Sequence, residues 1–247
     1  MDRALFIAMT GADATMTRQN TISQNLANAS STGYRSQSVA FRSLPVFWQQ
    51  LPTRAYAVET TTGSNFTPGV LKETGRSLDV ALQGKGWFAV QDVQGAEAYT
   101  RAGHLQLDAT GTIKTATGLV VLGETGIPLT VPEGRGVAIG RDGTVEAVNP
   151  SNSADRQTIG RIKLTNPAEA SLDRGNDGLF RVKDGQPATS ANNEVSITAG
   201  SLESSNVNVV ESLVQMISAA RQFETQLKVM QDLEADSRAS TQLLTLS

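Results

Sequence analysis

Leu213-Val214-Gln215-Met216-Ile217-Ser218-Ala219-Ala220-Arg221-Gln222-Phe223-Glu224-Thr225-Gln226-Leu227-Lys228-Val229-Met230 decides how the rest of this chain is read. The residues Leu213, Met216, Ala220, Phe223, Leu227 and Met230 alternate steps of three and four. That is the spacing of a coiled-coil seam rather than the wider stripe of a helix that covers a core. No Pro follows Pro187 and no Gly follows Gly200. The helix is therefore predicted from near Asn208 to about residue 244, roughly 55 Å at the α-helical rise. Asn208-Val209-Val210-Glu211 has the N-cap and N3 residues of a capping box. Glu224 with Lys228, and Glu234 with Arg238, are favourable i, i+4 pairs.

The other end reads the same way. Over residues 3–29, Ala4, Ala8, Gly11, Thr15, Ile22 and Leu26 share one narrow strip, flanked by Leu5, Met9, Ala12 and Met16. Small residues dominate that strip, so a second helix can approach closely. Asn28, Ser30, Ser31, Thr32 and Gly33 supply the stop, with Gly suited to the left-handed conformation.

Between the helices the pattern changes twice. Residues 34–76 carry Pro45, Pro52, Pro68 and the run Glu59-Thr60-Thr61-Thr62-Gly63-Ser64, which argue for an irregular or extended docking arm. Residues 77–200 hold 17 of the 22 glycines and short runs of strand character. These are Trp87–Val90, His104–Leu107, Leu119–Leu122, Thr144–Val148, Arg161–Leu164 and Leu179–Val182. Turns are marked at Thr110-Gly111, Asp142-Gly143, Asp177-Gly178 and Asp184-Gly185. With no helical pattern between the strands, this is an antiparallel β domain. The fold expected is α+β: long N- and C-terminal helices pairing as a coiled coil, a central antiparallel all-β domain, and an extended linker arm. The divisions fall at 1–30, 31–76, 77–200 and 201–247.

Composition narrows the function. The chain has 247 residues, net charge −3, 39% hydrophobic and 5% aromatic residues. A real core is possible, yet much of the chain is expected to lie outside it. The charge leaves no electrostatic footprint for nucleic acid. No stretch approaches the ~20 apolar residues of a membrane span. The start, with Asp2 ahead of Arg3 and a brief apolar run, is not a secretory signal. Cys is absent, which excludes disulfides, thiolate nucleophiles and Cys-based metal sites.

No catalytic set or cofactor site assembles on paper. His104 is the only His, so a zinc site or a Ser-His triad lacks parts. Gly134-Arg135-Gly136-Val137-Ala138-Ile139-Gly140 loosely has dinucleotide-loop spacing, but the Arg141-Asp142-Gly143 turn denies it the helix it needs. Asp173, Asp177, Gly178 and Asp184 fit four positions of a calcium loop. Gly175 fails another, and the bidentate Glu is missing, so a pair of β-turns is the simpler reading. Asn28-Ala29-Ser30 and Asn65-Phe66-Thr67 match a glycosylation acceptor by chance alone. A hydrolase would need a nucleophile and base, and an adhesin with helical ends would need an export signal.

Asn25-Leu26-Ala27-Asn28-Ala29-Ser30-Ser31-Thr32-Gly33-Tyr34-Arg35 resembles the N-terminal signature of the bacterial flagellar rod and hook axial family. Leu202-Glu203-Ser204-Ser205-Asn206-Val207-Asn208, with Met216–Glu224, is similar to that family's C-terminal end. Gly84-Lys85-Gly86-Trp87-Phe88-Ala89-Val90 and Tyr99–Leu105 are similar to its β-domain signature. The resemblance spans essentially the whole chain. Asn166–Ala170 and Asp177–Arg181 are most similar to a proximal rod member, with a distal rod member as the alternative.

The resemblance implies a structural subunit with no cofactor and no metal. Its helices would polymerise into the inner layer of the rod, beneath outer β domains. Partners would be other proximal and distal rod subunits and the flagellar type III export apparatus, with no nucleic acid and no membrane insertion. Export would be without a cleaved signal, to a rod that spans the periplasm. The assembly interface is expected on Ala4, Ala8, Gly11, Ile22, Asn25, Leu26, Asn28, Gly33, Leu213, Met216, Ala220, Phe223, Leu227 and Met230. Helices with one apolar stripe cannot hide it alone, so they are expected to order fully only in the polymer.

Overall fold

Asn208 caps the C-terminal helix. Its Oδ1 accepts from the Glu211 amide at 3.2 Å, and its carbonyl accepts from the Ser212 amide. Helix α2 then runs from Val209 to Thr245, with Glu234 and Arg238 paired along it. Helix α1 spans Asp2–Ala27. The computed structural model describes residues 2–48, 51–183, 188, 191 and 195–245. The predicted Asp184-Gly185 turn and the last calcium-loop position lie outside them.

The chain divides into two units. The first comprises residues 1–29, 36–65 and 207–247. It holds α1, α2 and a hairpin of strands β1 (Gln37–Trp48) and β2 (Leu51–Ser64). The stretch expected to be irregular or extended thus contains two paired antiparallel strands. Pro45 is accommodated opposite Ala55 because a two-stranded sheet has only edge strands, where a missing N–H is tolerated. Asn25 ties α1 to the hairpin: its Nδ2 donates to the Gln37 carbonyl and its Oδ1 accepts from the Gln37 amide, both at 2.8 Å.

The α+β class holds, but the two helices do not pair as a coiled coil. The predicted seam is not buried as a seam: Leu213 is 44% and Leu227 38% exposed, and the one fully buried residue of the described part of α2 is Ala219, at 3%. Where α1 and α2 meet, Gln226 lies over Gly11, so that a Cβ added to that glycine would stand 2.5 Å from the Gln226 Oε1. A polar side chain over a glycine is close packing of a different kind from apolar knobs in holes. Helix α1 also contacts both hairpin strands, which a two-helix coil would not provide.

The second unit, residues 30–35 and 66–206, is an antiparallel β body. Its central strand, Trp87–Gln91, pairs along one edge with Glu97–Thr100. Along the other edge it pairs first with Leu164–Thr165 and then with Val120–Val121. Period-two alternation splits this strand between two apolar clusters. Phe88 and Val90 face one with Leu105, Ile113, Val121 and Ile162. Trp87 and Ala89 face the other with Tyr99, Leu122, Leu172 and Phe180. Strand Leu71–Glu73 pairs with Ser201–Glu203, and strand Val80–Gln83 with Ser196–Ala199.

Candidate assembly site

The predicted interface residues of the first unit fall into four groups. Ala8 and Gly11 line a cavity of about 350 Å³ in the first unit, with Ile7, Ala55, Ala57, Gln226 and Val229. Ile22 and Asn25 are buried within that unit, and Leu26, Asn28, Met216, Ala220, Phe223 and Met230 are half-buried. Ala4, Leu213 and Leu227 are exposed. The apolar surface that remains open runs along α2 through Val209, Val210, Leu213, Val214 and Ile217. On α1 it comprises Leu5, Phe6, Met9 and Met16.

Gly33 stands apart from the helices. It is buried in the second unit with φ +69°, and its amide donates to the Glu203 carbonyl at 2.8 Å. An added Cβ would lie 2.3 Å from the Arg101 carbonyl carbon. The glycine is therefore needed for close backbone approach as much as for its left-handed conformation.

Beside it sits an ionic cluster that periodicity could not reveal. Glu203 reaches Arg35 Nη2 with Oε1 at 2.6 Å and Arg101 Nη1 with Oε2 at 2.9 Å. The Glu203 Oε1 also accepts from the Gly69 amide at 2.9 Å. The side chains of Arg35 and Glu203 are each 1% exposed and that of Arg101 is 4%. Arg101 further donates from Nη2 to the Gly84 carbonyl at 2.5 Å. Burial holds the Arg101 pKa below the ordinary arginine range, against the pull of the Glu203 carboxylate.

Aromatic rings extend the cluster. The Arg101 guanidinium lies 5.8 Å from the Trp87 ring centre, and Trp87 packs on Phe180 at 4.5 Å. Arg174 stands 5.7 Å from the Phe180 ring and 4.4 Å from that of Tyr34, and donates to the Arg35 carbonyl at 2.5 Å. Tyr34 and Arg35 are neighbours, so the contacts form a closed circuit through residues 34, 174, 180, 87, 101, 203 and 35. Trp87 and Phe180 are readable from sequence as buried aromatics. Arg35, Arg101 and Glu203 are not, because isolated charges read as surface.

The residues weighed for chemistry in the sequence have these surroundings. His104 Nδ1 sits 3.0 Å from Asp79 Oδ1, beside Arg76. Residues Gly136–Ile139 form a strand, not a phosphate loop. In the calcium-like turn, Arg181 takes the cation's place, pairing with Asp177 at 2.6 Å and Asp92 at 2.8 Å. Among the described residues no cluster of three or more His, Cys, Asp or Glu could hold a metal, and no helix is long and apolar enough to cross a membrane.

Three family models match the chain in order. Residues 5–35 match the model described as flagella basal body rod protein. Residues 81–147 match the flagellar hook protein FlgE/F/G D1 domain, and residues 198–243 the flagellar basal body rod FlgEFG protein C-terminal. The flagellar basal-body rod proteins FlgF of Escherichia coli K12 and of Salmonella typhimurium are each 42% identical to this chain over 253 residues, covering all of both chains. The flagellar basal-body rod protein FlgG of Agrobacterium fabrum is 34% identical over 260 residues, covering 96% of this chain and 97% of its own.

Proposed function

The chain belongs to the flagellar basal-body rod protein family, and on that premise we propose that it is a structural subunit of the proximal rod, built into the shaft that carries torque to hook and filament. The observation that carries this reading is likeness to two FlgF proteins across their whole length at 42% identity. The FlgG relative, at 34%, is less similar. Its role is mechanical and not catalytic.

The physical support comes from the first unit. An exposed apolar row on each long helix is surface that a polymer would bury and an isolated subunit leaves wet. A heterologous contact, one patch of a subunit against a different patch of the next, extends into a helical assembly as a rod requires. In this reading the helices form the inner layer and order fully on assembly, the β1–β2 hairpin docks on neighbours, and the β body lies outside. The partners are other rod subunits, reached after passage through the flagellar export apparatus to the periplasm-spanning basal body. Immunogold labelling of purified basal bodies tests the placement. Label on the rod close to the membrane-embedded base is expected, and label confined to the cell surface would refute it.

A further inference from the structure

We propose that Glu203 is a positioning residue for assembly: a two-armed latch that holds the segment behind α1 and the segment ahead of α2 at one fixed place. The proposal rests on the rod reading and deepens it, by naming what sets the roots of the two helices that polymerise.

The geometry is specific to both carboxylate oxygens. One arm takes Arg35, two residues beyond Gly33, and the other takes Arg101 on the β body. The Glu203 backbone accepts from the Gly33 amide, and the Asn206 amide donates to the Tyr34 carbonyl. The chain leading away from α1 and the chain leading into α2 are thus bonded side by side, although Arg35 and Glu203 are far apart in sequence. Each latch charge comes from a different one of the three separately matched segments, residues 5–35, 81–147 and 198–243. No local stretch of the chain can form the latch alone.

A buried ion cluster is a poor source of stability compared with apolar packing, and its best-attested use is to fix register. The composition here fits register rather than strength. Two guanidiniums share one carboxylate, and among the described residues none of the three Arg35 guanidinium nitrogens makes a well-aligned hydrogen bond, so Arg35 is held by Glu203 as an ion pair alone while Arg101 is also hydrogen-bonded. An apolar trio would fill the space without dictating which strand lies where. Glu203 does dictate it, because only a side chain of its length reaches both arginines while its own backbone stays in the strand with Leu71.

The test uses the full chain with Glu203→Asp and Glu203→Gln. Aspartate keeps the charge but is one methylene shorter, so it cannot span both arginines. Hydrogen exchange is followed at the Gly33 and Asn206 amides, which the latch holds, and at the Ile113 and Leu122 amides, bonded to Leu129 and Ala89 in the β body. Both variants are expected to speed the first pair at least about a hundredfold, as loss of a buried ionic partner should, and to speed the second pair at least about tenfold less, since those amides share only the global loss. Neither is expected to restore swimming to a strain lacking the gene. Aspartate exchanging and swimming like wild type would overturn the proposal. So would equal loss of protection at all four amides in both variants, or normal swimming despite an opened latch. If the strain lacking the gene itself swims normally, the rod reading falls while the exchange result still decides the latch.

Discussion

Replacing Gly33 with alanine should weaken the β body well beyond the usual cost of a left-handed alanine, and the excess can be worked from the contacts. At φ +69° any L side chain is strained by about 1 kcal/mol. The added Cβ would also stand 2.3 Å from the Arg101 carbonyl carbon and 2.4 Å from its oxygen. Ordinary contact begins near 3.4 Å, so two backbones must part by about 1 Å. Neither neighbour is a flexible side-chain tip that could swing aside. Parting them costs the bond from the Gly33 amide to Glu203, about 1 kcal/mol, and loosens the Arg35–Glu203 pair. The total expected is about 3–5 kcal/mol, given that breaking a buried pair outright costs about that much. Gly118→Ala is the control, because Gly118 has φ +86° and nothing within 4 Å of its added Cβ. It should lose only about 1 kcal/mol. The assay is urea unfolding read by Trp87 fluorescence in a Trp48→Phe background, which leaves one tryptophan, inside the cluster. Equal losses for the two alanines would refute the close-approach argument and with it the account of why glycine stands at position 33.

Three further outcomes follow from the same contacts. Phe223→Asp places a charge on the half-buried face of α2; incorporation into basal bodies should fall at least about tenfold while the β body melts as before, and normal incorporation would count against that face. Asn208→Ala removes the cap on the Glu211 amide; exchange at that amide should rise about fivefold, the equivalent of ~1 kcal/mol. Arg181→Met should destabilise the β body at neutral pH and lose that effect in acid. The Arg181 guanidinium holds the Asp92 and Asp177 carboxyls below their ordinary 3.8. Groups so lowered stabilise the fold above that pH and cease to as pH falls through their folded values. The gap between variant and wild type in urea titrations should therefore close below about pH 4, and a constant gap would disprove the linkage.

Much of the fold is legible where chemistry is local. Asn208 and Glu211 mark the start of α2 because capping involves residues three apart. The runs Trp87–Val90 and Thr144–Val148 lie wholly on strands, His104–Leu107, Leu119–Leu122 and Leu179–Val182 each contain one, and Arg161–Leu164 joins the end of one strand to the start of the next, because alternation is a property of the strand itself. The helix pairing misleads because the most apolar row of a helix need not be its inward one. In the first unit Gly11 permits so close an approach that Gln226 and Ala219 turn inward, while Leu213 and Leu227 stay exposed. The β1–β2 hairpin is masked by Pro45 and Pro52 and by a threonine run, although paired edge strands tolerate all of these. The latch was least legible of all. Arg35 and Glu203 lie inside the very motifs that mark the family, but a charge shows its burial only once residues distant in sequence are brought together.

The central claim, that this chain is a rod subunit, is tested most directly by deleting its gene in the native host and examining basal bodies by electron microscopy alongside swimming. The account predicts a non-motile strain whose rods stop before the distal segment, with both defects restored by the intact gene. Complete rods and normal swimming would contradict it.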